Sequence, residues 1–315
     1  MSNTRVNKFQ WHAKSGSFRI QFLWFIFLFA MIFFPCTQLY ATEGGGSTYV
    51  GGNEDFMAGA LPPPGMYSIV YGLYYGADAL NDNNGDEQPI DFKLDVYATV
   101  FRFIHVTKLK LLGADFGWHI IAPLVNQNVE IGAMGVDESE TGLGDIEFSP
   151  MILAWHLNKN LHMLAALDFM APTGSYDMTE PASVGRNYWT IDPVYAVTYL
   201  SDGGFEVSGK FQYLINTKNS DTKYKSGNEF ILDYLVGQHV KDWNFGVNGY
   251  VYKQVTDDES NGATVNDNKG QCISIGPAIQ YNYKNMFFNA KYQWDTAVKN
   301  RPEGQKLWLK FMYAF

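Results

Sequence analysis

The last ten residues, Lys306-Leu-Trp-Leu-Lys-Phe-Met-Tyr-Ala-Phe315, alternate without a break. Leu307, Leu309, Phe311, Tyr313 and Phe315 share one face of a strand; Lys306, Trp308, Lys310, Met312 and Ala314 share the other. A strand that crosses a bilayer needs about 9 to 11 residues with this period, because its backbone groups pair with neighbouring strands and only its outer side chains meet lipid. An apolar face closed by a terminal phenylalanine therefore predicts a transmembrane strand in a sheet rolled shut.

Eleven more segments read the same way, near Tyr67 to Tyr75, Phe92 to Ile104, Leu111 to Leu124, Ile146 to Leu157, Leu161 to Ala171, Tyr188 to Leu200, Phe205 to Asn216, Glu229 to Val240, Phe245 to Gln254, Ile273 to Tyr283 and Met286 to Trp294. Their connections alternate in length. Thr107 to Lys110, Asn158 to Asn160, Ser201 to Gly203, Lys241-Asp242 and Lys284-Asn285 are short. Asp78 to Pro89, Asn126 to Thr141, Thr173 to Asn187, Thr217 to Gly227, Thr256 to Gly270 and Asp295 to Glu303 are long and polar. Short turns at one end and long loops at the other are the rule for outer-membrane barrels. The fold class expected is all-β, an antiparallel up-and-down transmembrane barrel of about twelve strands.

Orientation follows from cost. A strand turned over would place Lys291 or Lys310 in hydrocarbon at roughly 2–4 kcal/mol each, so charges should line the lumen. Trp189 and Trp294 near the loops, and Tyr199, Tyr283, Tyr313 and Phe315 near the turns, suit two interfacial girdles. Two local problems stand out. Pro123, Pro150, Pro193 and Pro277 each remove a ladder donor and should mark bulges or strand limits, and parity is lost near Phe101-Arg-Phe103, as a bulge or a slipped register would cause.

The first 41 residues hold Arg5, Lys8, Lys14 and Arg19 but no acid, followed by an apolar run from Ile20 to Phe34 and Thr37-Gln-Leu-Tyr-Ala41. This order predicts a signal peptide over 1–41, cut after Ala41, although Leu39 departs from the small residue preferred there. Without it, 19 basic residues face 32 acidic ones, a net charge of −13 that offers no nucleic-acid footprint. Cys272 alone remains, so no internal disulfide can form. Residues 42–65 are rich in glycine and proline and should form a plug or leader, with 66–315 the barrel; Glu54, Asp55, Phe56, Met57 and Leu61 favour a plug, since a free tail seldom needs such apolar residues.

Glu54-Asp-Phe-Met-Ala-Gly-Ala-Leu-Pro-Pro-Pro-Gly65, Gly142-Leu-Gly-Asp145, Pro172-Thr-Gly-Ser-Tyr-Asp177 and Gly185-Arg-Asn-Tyr-Trp189, in that order, resemble the signature stretches of the meta-pathway phenol-degradation outer-membrane family. The resemblance covers nearly the whole chain after residue 41. It implies a barrel associated with uptake of aromatic or other hydrophobic compounds, and brings no catalytic residues.

Parity assigns Asp95, Asp115, Asp145, Glu147, Asp168, Lys210, Asp233, Tyr250, Tyr252, Lys291, Trp308 and Lys310 to a solute path in the lumen, either as a selectivity lining or as a packed network. Tyr250, Tyr252, Trp155 and Trp308, if inward, could stack on a planar ligand. Asp177 and Arg186 could clamp a loop. His119, His162 and His239 fall inward and only His156 outward; none has close ligand spacing, so no metal and no cofactor is expected. The acids around Asn81 to Asp86 miss the calcium-loop order. The expected function is an outer-membrane channel for small hydrophobic or aromatic compounds. Its expected partners are outer-membrane lipid and lipopolysaccharide, the barrel-assembly machinery at the Phe315 strand, and the solute. A barrel enzyme acting on lipid through His156, or a structural or adhesive barrel, remains open.

Overall fold

A computed structural model describes residues 42–315; the signal peptide expected over 1–41 lies outside them. The strands are β1 (Gly65–Leu80), β2 (Phe92–Leu111), β3 (Ala114–Ile131), β4 (Val136–Leu143), β5 (Ile146–His156), β6 (Leu161–Ala171), β7 (Thr190–Leu200), β8 (Phe205–Asn216), β9 (Tyr224–Lys225), β10 (Glu229–Val240), β11 (Trp243–Gln254), β12 (Asp258–Ser260), β13 (Ala263–Val265), β14 (Gln271–Tyr283), β15 (Met286–Lys299) and β16 (Pro302–Ala314). Twelve of them pair antiparallel in the circular order β1-β2-β3-β5-β6-β7-β8-β10-β11-β14-β15-β16, and β16 pairs with β1 to close the barrel. Closure leaves no edge strand for lipid to meet.

The outer face carries Leu307, Leu309, Ile275, Ile279, Val247 and Phe288, all exposed, whereas Lys306, Trp308, Lys291 and Gln293 on the alternate positions are buried inside. Trp189 and Trp294 sit exposed toward the loops, and Tyr199, Tyr283 and Phe315 toward the turns.

Above the membrane the loops are more ordered than the sequence suggested. β4 folds back on the upper half of β3, so most of the loop expected over Asn126 to Thr141 is a hairpin. β9, β12 and β13 form a small sheet over the mouth. The loop expected from Asp295 to Glu303 shrinks to a turn at Asn300 and Arg301, and the turn expected at Thr107 to Lys110 is strand, the reversal lying at Leu112-Gly113.

All four prolines fall where one ladder is interrupted. Pro150 lies in the β5 bulge between Phe148 and Met151, and Pro123 sits where β3 leaves β5 and takes β4. At Pro193 the β7–β8 pairing skips two residues, and Asp192 Oδ1 accepts the stranded Tyr213 N–H at 3.0 Å. At Pro277 the β14–β15 pairing skips likewise. The bulge expected at Phe101-Arg-Phe103 is absent: β1 and β2 stay in register from Gly65↔Val106 to Ala77↔Leu94.

Candidate functional site

The barrel interior is occupied by the chain itself. From Thr42, residues 42–64 descend from the long-loop mouth to the short-turn end, where β1 begins. At the top Glu43 N donates to Ser226 Oγ at 3.1 Å, and Asn219 Nδ2 donates to Glu43 Oε2 at 3.0 Å. Burial pushes the Glu43 carboxyl up from its ordinary range, against the hydrogen bonds it accepts. Lower down, Asp233 accepts from Tyr49 Oη and from Gly52 N, each at 2.7 Å. Gly52 has φ +85, which suits glycine, and Gly59 lies so close to β7 that a Cβ would stand 2.6 Å from the Thr198 nitrogen. Met57 N donates to Glu206 Oε1 at 2.6 Å. Phe56 packs with Leu235 and Ala278, and Leu61 packs against Ile104, Val106 and Ile152 at the base.

Two acids of this segment meet four cations of the wall. Glu54 Oε1 is 2.9 Å from Arg102 Nη1 and 3.7 Å from Lys210 Nζ. Asp55 pairs with Lys310 and lies 3.6 Å from Lys291, whose ammonium also donates to the carbonyls of Asn53 at 2.7 Å and Glu54 at 2.9 Å.

The wall is of two kinds. β7, β8, β10, β11 and β15 turn polar groups inward, including Thr198, Lys210, Asp233, Asn248, Lys291 and Gln293, and residues 42–64 take their hydrogen bonds mainly from this side. β1, β2 and β3 instead turn Leu73, Leu94, Val96, Val100, Ile121 and Val125 toward the interior. Between them and the inner segment lies a cavity of about 250 Å³. The rest of its lining carries Arg102, Glu147, Lys210, Asp295 and Lys306, so only the β1–β3 side is apolar; for scale, a cavity of roughly 150 Å³ holds benzene in other proteins.

Residues 77–311 match the family described as "MetA-pathway of phenol degradation". The chain belongs to this family. Among solved structures, the COG4313 outer membrane channel from Pseudomonas putida F1 is 18% identical, with TM-score 0.76 over 83% of this chain and 99% of that one. The transport unit of the autotransporter AIDA-I from Escherichia coli is 10% identical, TM-score 0.49, covering 83% and 93%. The monoaromatic hydrocarbon channel TodX, as a deletion mutant, is 8% identical, TM-score 0.43, covering 80% and 91%. Comparison with curated proteins gives no match. With the COG4313 channel this chain shares the fold, that of a bacterial outer-membrane barrel.

The family member in hand places the sequence-selected residues unevenly. Lys210, Asp233, Lys291 and Lys310 all contact the inner segment. Trp308 is buried beside Tyr71, and Tyr250 and Tyr252 are buried as well, but cations already cover these rings: Lys306 Nζ is 4.2 Å from the Tyr250 centroid, the Arg301 guanidinium 4.1 Å from Tyr252, and Lys291 Nζ 5.5 Å from Trp308. Asp115 faces inward at the short-turn end, 3.6 Å from His156 Nε2 and paired with Lys110. Asp145 accepts the Gly174 and Arg186 backbone N–H groups, both at 2.9 Å, and so ties down the loop over 172–189; burial pushes its carboxyl up.

Four expectations are corrected. Asp95 is on the outer face, accepting from Tyr74 Oη at 2.9 Å and paired with Lys93, because the unbroken β1–β2 register turns odd residues outward. The Pro150 bulge flips parity beyond it, so His156 faces inward, 2.7 Å from His162 between Nδ1 atoms, and Trp155 faces out, donating to the Leu112 carbonyl. A lipid-facing His156, which an enzyme of lipid chemistry needed, is therefore lost. Nor does an ion pair join Asp177 and Arg186 among the described residues; Asp177 accepts from Thr179 instead, which holds its carboxyl below the usual range.

Sequence reasoning missed Arg102, which strict parity would have turned inward, and the grouping of His119, Glu147 and Asp168. One ligand atom from each of the three lies within 4.8 Å of the others, all buried. Arg102 Nη2 stands 3.0 Å from His119 Nδ1 and can only donate, so the imidazole proton belongs on Nε2, 3.5 Å from Glu147 Oε1. That leaves Nε2 without a lone pair for a cation, so the trio makes a poor metal centre, and among the described residues Nε2 and Asp168 Oδ1 have no hydrogen-bond partner.

Proposed function

We propose that the barrel admits small hydrophobic molecules of about single-ring size, which travel down the β1–β3 wall beside the inner segment, with residues 54–61 as the obstruction. The supporting observation is the cavity itself: its apolar side is built from Leu73, Leu94, Val96, Val100, Ile121 and Val125, and its volume suits a substituted benzene. The inner segment leans on the opposite, polar wall, so the apolar side faces open space. The family's description, naming phenol degradation, supports an aromatic solute. Large polar solutes fit poorly, since the bore of twelve strands is narrower than that of general porins and is filled by chain.

The test is entry of a fluorescent phenol-sized aromatic into vesicles with lipopolysaccharide in the outer leaflet. Wild-type protein should accelerate entry, and Val96→Lys, which puts a charge in the cavity wall, should abolish the gain. Equal entry with wild type, Val96→Lys and empty vesicles rejects the reading.

A further inference from the structure

We infer that the working chain begins at Thr42, and that the α-ammonium created there is seated on the Asp258 carboxylate inside the long-loop mouth. The inference rests on residues 42–64 acting as an inner plug, and it assigns that plug its upper anchor.

Thr42 is fully buried, and its nitrogen lies 3.3 Å from Asp258 Oδ2. Asp258 is equally buried. It accepts from Gly227 N at 2.6 Å, Gln254 Nε2 at 2.7 Å, Tyr224 Oη at 2.7 Å and Asn268 Nδ2 at 2.6 Å. These donors are neutral, and among the described residues no lysine, arginine or histidine pairs with it. A buried carboxylate without a cation is costly. An ammonium at Thr42 supplies the missing charge at the position where an amide nitrogen already points.

The backbone gives a second, independent observation. Thr42 has φ 60 and ψ 158. For a β-branched residue positive φ is strained, because Cβ crowds the preceding carbonyl. Hydrolysis of the Ala41–Thr42 bond removes that carbonyl and the strain with it. Water contributes hydroxyl to the Ala41 carbonyl carbon, the C–N bond breaks, and the released amine takes up the protons that make it an ammonium, leaving a carboxylate on the departing peptide. The basic, apolar and small-residue order of 1–41 suits a peptidase that processes exported chains.

The experiment uses full-length protein purified folded from outer membranes. Intact mass and N-terminal sequencing should give Thr42 with an unblocked amine. An amine-reactive reagent at neutral pH should label that amine at least tenfold more slowly in the folded barrel than after heat unfolding, and Asp258→Asn should remove most of the protection. A different first residue, equal labelling of folded and unfolded wild type, or unchanged protection in folded Asp258→Asn overturns the inference. The wild-type comparison decides even if Asp258→Asn fails to fold. Flux of aromatics reads the transport proposal separately, and either can fail alone.

Discussion

Asp55→Asn should unseat the inner segment while leaving the barrel whole. In the native arrangement Asp55 and Lys291 have side chains 1% exposed, and Lys310 pairs with the same carboxylate. Asparagine keeps the volume and one acceptor but strands two enclosed ammonium groups. Removing one partner of a buried pair costs about 3–5 kcal/mol. At 1.36 kcal/mol per decade, the ratio of unseated to seated segment rises roughly a hundredfold to several thousandfold. The assay is ion conductance in planar bilayers, read beside thiol labelling of Phe56→Cys in a Cys272→Ser background. Phe56 is buried in the native barrel, so it labels only when the segment leaves. Conductance and labelling should both rise in Asp55→Asn. The increase should shrink as pH climbs toward the lysine range, because a stranded ammonium can then shed its proton. If Asp55→Asn shows native conductance and native labelling at neutral pH, the acid pair does not hold the segment and the reasoning fails.

Leu309→Lys, on the lipid face, should destabilise the barrel by about 2–4 kcal/mol in urea titrations in lipid vesicles, if the apolar face meets the bilayer midplane. Asp145→Ala leaves the Gly174 and Arg186 N–H groups without their acceptor, at about 1–3 kcal/mol each; limited proteolysis should then cut within 173–187 while the barrel keeps its heat-resistant mobility on gels. Val100→Asp should weaken binding of a phenol-sized fluorophore at least tenfold without altering thermal unfolding of the barrel, because the change lies in the cavity wall and not in the sheet hydrogen bonds.

The strands were legible in the sequence because lipid enforces one rule on every outer face: Phe205, Val207 and Ile215 had to alternate with Glu206, Ser208 and Asn216. The rule says nothing about the inside. On β2 both faces are apolar, Tyr97 and Phe101 outward against Val96 and Val100 inward, so parity seemed to fail at Arg102 although the strand is regular. Asp95 misled for a related reason. It lies toward the loop end of β2, beside Lys93, where a charge on the outer surface meets water and costs little. His156 was misplaced because one bulge shifts every later residue by a face. The His119, Glu147 and Asp168 trio draws on β3, β5 and β6, and the register between these adjacent strands, which alternation within one strand does not reveal, brings the positions together.

The position of residues 42–64 constrains how the molecule can be made. Its upper end is tied among the caps of one mouth, its lower end continues into the first strand, and its hydrogen bonds run to strands halfway round the cylinder. With its lower end continuous with β1, the segment belongs to the same fold as the wall: a barrel closed at the β1–β16 seam without it would leave the inward charges of Arg102, Lys210, Lys291 and Lys310 without Glu54 and Asp55.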